Sequence, residues 1–322
     1  MSLTPITNLI QTELHAVNET ILHALSSPVD AIKQIGHYLI NSGGKRIRPL
    51  VVLLSSKACE APTEISITMS AIIEFIHTAT LLHDDVVDGS ALRRGRPTAN
   101  HVWDNASAVL VGDFLYSRAF QLMVSVDSMP AMRILADATN TIAEGEVLQL
   151  AHRFQPDVQE DSYFNVIRLK TAKLFEAAAQ LGAIMGEKSL AVQQNLGTYG
   201  MHLGTAFQLV DDVLDYQAAS DSWGKNIGAD LSEGKTTLPL IYALKEGNAT
   251  QSGTIRSAIK EGNVGDLAVV QEAIVSTGAI DYTMRAAQQE IQHALQALEI
   301  LPNSEYREAL ASLAHFAISR GY

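Results

Sequence analysis

Two long, almost uncharged stretches of this chain end in the same acidic signature, and nothing else in it constrains the fold as much. Met69 to Asp88 carries Thr78-Ala79, Leu82, Asp84-Asp85-Val86 and Asp88, while Leu190 to Tyr216 carries Thr205-Ala206, Leu209, Asp211-Asp212-Val213 and Asp215. The offset between matched positions is 127 throughout. A stretch that is apolar nearly all round reads as a buried helix. Two central helices are therefore expected, each ending in an acidic tip. A period this long does not belong to a solenoid; it reads as a duplicated half-site inside one bundle.

The rest of the chain reads as helix too. Helices are predicted from Pro5 to Ser26, Val29 to Ile40, Ala106 to Val126, Pro130 to Leu150, Asp161 to Met185 and Thr236 to Lys245. Another opens at Pro49, and further amphipathic segments run from Thr254 to His315. Asn41-Ser42-Gly43-Gly44 and Gly89 sit where helices should stop. Leu92 to Pro97 reads as a basic loop, Gln155 to Asp161 as a polar break and Ala219 to Lys235 as a mobile loop. Apolar residues make up 47% of the 322 positions and charged ones 18%, which is a globular balance. Period-2 runs of β-branched residues are scarce, and no linker divides the chain. The expectation is a single all-α domain over residues 1–322, a bundle of about ten or more helices around a central cavity.

The formal charge of −12 argues against a nucleic-acid partner, which would want a basic surface. It also disfavours docking on an anionic bilayer. The one cysteine, Cys59, rules out a disulfide framework and a Cys-rich metal site and is expected in the core. The first residues lack a basic n-region and apolar h-region, and no uncharged apolar window of about 18 residues stands out. The expected compartment is the cytoplasm, with no membrane span.

Residues four apart on a helix share a face, so Asp84 and Asp88 point together, as do Asp211 and Asp215. Like charges at that spacing repel. Aspartate is a weak helix former, and the helix dipole at a C-terminal end is already negative. Each local effect is unfavourable, and the chain does this twice. A solvated face is the usual explanation for a charge run, but Leu81-Leu82, Val86-Val87, Leu209-Val210 and Val213-Leu214 flank these aspartates. Oxygen-only donors suit a hard ion, Mg²⁺ rather than Zn²⁺. Because Mg²⁺ bridges to substrate phosphates, two facing clusters could clamp one diphosphate. Basic groups gather nearby: Lys45, Arg46 and Arg48 in a Gly-softened turn, Arg93, Arg94 and Arg96 just past the first cluster, Lys170 and Lys173 on a helix, and Lys225 and Lys235 around the loop. The planar arginine fork fits phosphate oxygens. Any one of these residues could instead be a surface ion pair.

Gly43-Gly44-Lys45-Arg46-x-Arg48-Pro49, His83-Asp84-Asp85-Val86-Val87-Asp88, Arg93-Arg94-Gly95, Gly112-Asp113, Lys170-Thr171, Gln208-x-x-Asp211-Asp212-x-x-Asp215 and Gly224-Lys225-Asn226 … Asp230 … Glu233-Gly234-Lys235 together resemble the trans-polyprenyl diphosphate synthases. The resemblance spans nearly the whole chain. It implies that Asp84, Asp85, Asp88, Asp211, Asp212 and Asp215 surround Mg²⁺ (three ions per site), with Asp84, Asp88, Asp211 and Asp215 as ligands. Arg93, Lys170 and Lys235 would hold an allylic diphosphate such as farnesyl diphosphate, and Lys225 would close the loop over it. Lys45, Arg48, His77 and Arg94 would hold isopentenyl diphosphate. Thr171 and Gln208 would turn oxygen dipoles to the developing cation.

Ala79 and Thr80 lie one turn behind Asp84. Both are small where a bulky aromatic would block a growing tail, which implies a long tunnel and a long product; the resemblance implies about eight isoprene units, for quinone side chains. Nine or ten units, or a shorter farnesyl or geranylgeranyl product, are the alternatives. Met123 is a candidate for the tunnel floor, although a core Met is the commoner role. A homodimer is implied, with transient membrane contact when the greasy product leaves. The ending Arg320-Gly321-Tyr322 departs from the basic terminus of some relatives. A terpene cyclase is a further alternative, against which the intact isopentenyl diphosphate residues argue, and two rival readings differ in class or role. Glu74-x-x-His77 and Glu290-x-x-His293 match the helical motif of di-iron carboxylate bundles. A non-catalytic subunit of a heteromeric synthase is the other, although such chains usually lose an acidic cluster.

Overall fold

A computed structural model describes residues 2–41, 44–93, 95–217 and 228–319. Arg94, Lys225 and Arg320, together with Ser42 and Gly43, lie outside the described residues. The chain folds as α1 (Thr4–Leu9), α2 (Gln11–Ala24), α3 (Asp30–Asn41), α4 (Ile47–Ala58), α5 (Thr63–Val87), α6 (Ala99–Val102), α7 (Asn105–Val126), α8 (Met129–His152), α9 (Glu160–Ile167), α10 (Lys173–Met185), α11 (Leu190–Tyr216), α12 (Ala229–Ser232), α13 (Leu238–Glu246), α14 (Ala249–Glu261), α15 (Leu267–Ser276), α16 (Ala279–Ala297) and α17 (Glu305–Ser319). The all-α expectation holds, and α11 has the boundaries its pattern suggests.

The departures have local causes. The single helix expected before Ser26 breaks at Ile10, whose φ of −128° and ψ of 32° leave the helical region. Ile10 is fully buried, so the break turns it into the core, where such a side chain contributes about 1.5–3 kcal/mol. α5 starts at Thr63, earlier than Met69, because Pro62 ends the extended chain ahead of it and the polar first turn carries no apolar stripe. Leu92–Arg93 and Arg96–Pro97 pair antiparallel around Gly95 at φ 73°; the basic loop is a short hairpin. Tyr38 Oη donates to Pro97 O at 2.7 Å and pins it.

The main core lies between α4, α5, α10 and α11. Leu50, Leu53, Leu54, Ile72, Phe75, Phe175 and Tyr199 are buried there. α10 and α11 approach closely because Gly200 has no side chain: a Cβ would stand 2.2 Å from Phe175 O. Tyr199 Oη donates to Leu310 O at 2.9 Å, tying α11 to α17. A smaller apolar cluster, including Tyr216, Leu231, Leu240, Ile259 and Ile274, sits beneath α12 to α15. Cys59 is buried as expected.

α5 and α7 are both long and apolar enough to cross a bilayer by length and composition. α5 is enclosed by protein on most of its surface, while α7 packs one side against α5 and leaves much of the other exposed.

Candidate active site

The first acidic cluster forms the last turn of α5. Asp88 caps the helix, with its N–H on Asp84 O at 2.8 Å, and Gly89 reverses the chain at φ 65°. The repulsion expected among these carboxylates is offset because each faces a different cation. Lys170 Nζ lies 3.5 Å from Asp84. Arg93 places Nε at 2.9 Å and Nη2 at 2.7 Å from Asp85 Oδ1. Lys235 Nζ lies 2.8 Å from Asp88, with Arg153 at 3.7 Å. Burial pushes the Asp85 carboxyl up against the pull of Arg93. Burial also raises Asp88, but Lys235, Lys170 and Arg153 more than offset it and hold it below the usual carboxylate range.

Gly112-Asp113 has a steric reason. A Cβ at Gly112 would sit 2.3 Å from His83 Nε2, so the glycine lets α7 slide beneath the His83 ring. Asp113 then stands 3.4 Å from that nitrogen.

Lys170 and Thr171 were expected on an uninterrupted helix. They sit instead in a π-helical turn, Arg168–Ala172, between α9 and α10. Such turns insert a residue into a helix and recur at functional sites. Here adjacent residues face opposite clusters: Lys170 turns to Asp84, while Thr171 Oγ1 donates to Gln208 Oε1 on α11 at 2.9 Å. Gly145 on α8 makes room, since a Cβ there would lie 2.7 Å from Lys170 N.

In the second cluster, Asp212 is buried and accepts from Tyr163 Oη at 2.5 Å and from Gln208 Nε2 at 2.8 Å. Burial and the Asp230 charge hold its carboxyl well above the ordinary range. Asp215 accepts from the backbone N–H of Ala229 at 3.2 Å and Asp230 at 3.0 Å, so it caps α12. Asp211 is half-buried. The part of the expected loop from Gly228 to Lys235 is thus ordered, anchored by Asp215 at one end and Asp88 at the other. Residues 218–227 lie outside the described residues.

Reading the sequence missed several members of this site. Lys170 Nζ also lies 2.5 Å from Glu146 and 2.8 Å from Gln149 on α8. Burial and the charge of Asp84 push the Glu146 carboxyl up to about 7. Arg153 donates to Glu233 O at 2.6 Å and to Val87 O at 3.3 Å, latching the end of α8 to the anchored segment and to the last turn of α5. The one available signal was Gly145, a glycine inside a helix, which often marks close backbone approach.

The basic turn lies along α4 and α5. Arg48 Nη1 is 3.2 Å from His77 Nε2, and its guanidinium stacks 4.4 Å over Phe175. Arg46 pairs with Glu74. Lys45 is exposed, with Nζ 5.2 Å over Phe316 of α17. The di-iron motifs therefore have separate partners: Glu74 faces Arg46, while Glu290 faces His202 and Arg168. Ala79 is fully buried, and Thr80 is half-buried. Met123 is buried, eleven positions beyond Gly112 along α7, about 16 Å down the helix axis from the level of His83.

The polyprenyl synthetase family profile matches residues 29–276. Octaprenyl diphosphate synthase of Escherichia coli (strain K12) is 48% identical across 99% of this chain and 99% of its own length. All-trans-nonaprenyl-diphosphate synthase (geranyl-diphosphate specific) of Rhodobacter capsulatus is 46% identical across 95% of this chain and 94% of its own. The crystal structure of polyprenyl synthase from Caulobacter crescentus CB15, complexed with calcium and isoprenyl diphosphate, superposes with a TM-score of 0.96 at 42% identity, covering 100% of this chain and 98% of that one.

Proposed function

This chain belongs to the polyprenyl synthetase family and is a long-chain trans-prenyltransferase; from that premise we propose that it extends farnesyl diphosphate with isopentenyl diphosphate to an eight-unit product, in a single catalytic domain. The observation that carries the site reading is the π turn, where Lys170 serves the first acidic cluster and Thr171 the second.

The aspartates fit Mg²⁺: the donor set is oxygen alone, and Asp84 and Asp211 are half-buried at helix ends. Asp84, Asp88, Asp211 and Asp215 would hold it, Asp215 through lone pairs beyond those on Ala229 and Asp230. When bound, the ions neutralise the charge on the departing diphosphate. The Caulobacter relative's complex with calcium and isoprenyl diphosphate supports a divalent ion beside such a ligand. Lys170, Arg93 and Lys235 exchange carboxylate contacts for diphosphate oxygens, and by sequence position Lys225 joins them while Arg94 joins the residues that hold isopentenyl diphosphate. This preorganised positive charge favours ionisation to an allylic cation. The Thr171 and Gln208 oxygens face the cation. Arg48, His77 and Lys45 hold isopentenyl diphosphate alongside, so its double bond attacks without a search for orientation. The proton lost in that step passes to the departing diphosphate. Asp85 and Asp212, both buried, orient Arg93, Gln208 and Tyr163. The growing tail runs past Thr80 towards Met123.

The working unit is a homodimer in the cytoplasm, touching the membrane when product leaves. Exposed Leu110, Phe120 and Val124 on α7 and Met129, Val147 and Leu150 on α8 support that assembly. Purified protein incubated with farnesyl diphosphate, isopentenyl diphosphate and Mg²⁺ should yield an octaprenyl product on sizing. No elongation, or a product arrested at the farnesyl or geranylgeranyl stage, sinks the reading.

A further inference from the structure

We propose that His202, Glu290 and His293 form a second metal site, separate from the aspartate clusters, for a late first-row divalent cation such as Zn²⁺. His202 stands on α11, nine residues before Asp211, or about 13 Å along the helix. Glu290 and His293 share one face of α16 at a spacing of three. One donor atom from each side chain lies within 4.8 Å of the other two. A tetrahedral Zn²⁺ with bonds of about 2.0–2.1 Å needs its donors roughly 3.4 Å apart. Rotation of His293, which is exposed, closes that gap. His202 Nδ1 already contacts the Glu290 carboxylate, so a metal would take the place of the proton between them.

The surroundings are those of a ligand set. Glu290 is only 8% exposed, and Arg168 Nη2 holds its other oxygen at 3.4 Å, as an outer-shell partner fixes a metal-binding carboxylate. The His202 and His293 rings are 5.0 Å apart and tilted by 58°, not stacked face to face. An ion pair would need only His202 and Glu290; His293 supplies the third donor. Two imidazoles select a borderline ion over Mg²⁺, which prefers oxygen. Glu290, with Arg168, Asp161 and Asn165, also lines an open groove of about 410 Å³, so the carboxylate is open to solvent on its Arg168 side.

Chelator-stripped full-length protein should be titrated with Co²⁺ in the presence of excess Mg²⁺. One equivalent should produce the visible d–d bands of four- or five-coordinate cobalt with nitrogen ligands, and Zn²⁺ should bleach them stoichiometrically. Asp84→Asn should keep the bands. His293→Ala and His202→Ala should lose them, with affinity at least tenfold weaker. His293 is an exposed residue outside the prenyl-transfer site, so His293→Ala should retain Mg²⁺-dependent elongation, which confirms that it folds. Absence of the bands in the parent protein, or equal binding by His293→Ala, overturns the proposal.

Discussion

Thr80 lies four residues before Asp84 on the same face of α5, and its Oγ1 is turned back onto His77 O at 2.8 Å. Ala79 points elsewhere and is fully buried. The two positions looked equivalent in the sequence, since both are small and one turn deep. Burial separates them. A phenylalanine at Thr80 can grow into partly open space, so Thr80→Phe should shorten the product while keeping turnover. Ala79→Tyr should also shorten it, but with overpacking of about 1–3 kcal/mol seen as a lower Tm. Product sizing and a melting curve check both, and unchanged length in Thr80→Phe refutes the tunnel path. Cys59 gives a second residue-scale test. Burial pushes its thiol from 9.0 up to about 11, so the folded state keeps the proton longer than the unfolded chain. Its contribution is complete below pH 9 and is lost between pH 9 and 11. The stability of the parent relative to Cys59→Ala should fall by about 2–3 kcal/mol across that window, measured by urea unfolding at each pH.

The π turn shows what periodicity can and cannot convey at the scale of an element. The helical stretch from Asp161 to Met185 was legible because apolar spacing persists on both sides. The inserted residue was not, because it changes phase by one position in a run where Val166, Ile167, Ala172 and Leu174 offer apolar partners in either register. The acidic helix tips were legible for the opposite reason: their local cost is so plain that only a site explains them. Glu146 and Gln149 stayed hidden because a polar residue on a helix usually means solvent. Gly145 links these facts. An added methyl at that position meets Lys170 N and the Leu169 side chain, and backbone cannot yield as a flexible side chain can. Gly145→Ala should therefore move Lys170 away from Asp84. A misplacement of about 1 Å can cost roughly 100-fold in rate, so kcat should drop by one to two orders of magnitude. The KM for isopentenyl diphosphate should change little, because Arg48 and His77 are held by α4 and α5. A large KM change with kcat intact refutes the positioning role.

At the scale of the molecule, two helices of comparable length and hydropathy have opposite fates. α5 is walled in by α2, α4, α7 and α10. α7 is covered chiefly on its α5 side and exposes Leu110, Phe120 and Val124, and α8 adds Met129, Val147 and Leu150. Exposed apolar residues are ordinary when scattered, whereas a run of them along neighbouring helices marks an interface. A lipid-facing span is a poor account of this surface, because Asp113 and Arg118 interrupt α7 midway and would be costly in hydrocarbon. The proposed homodimer would bury the same residues without that cost. Val124 and Val147 are 67% and 68% exposed, so aspartate at both should barely affect the isolated protomer, within about 0.5 kcal/mol for each surface change. Across a self-complementary contact each substitution occurs twice, placing unpaired carboxylates in a buried apolar face. The parent should sediment at twice the 34.8 kDa chain mass, and the double variant should sediment as a folded monomer with unchanged circular dichroism. A parent that sediments as a single chain, or a double variant that stays dimeric, removes α7 and α8 from the interface.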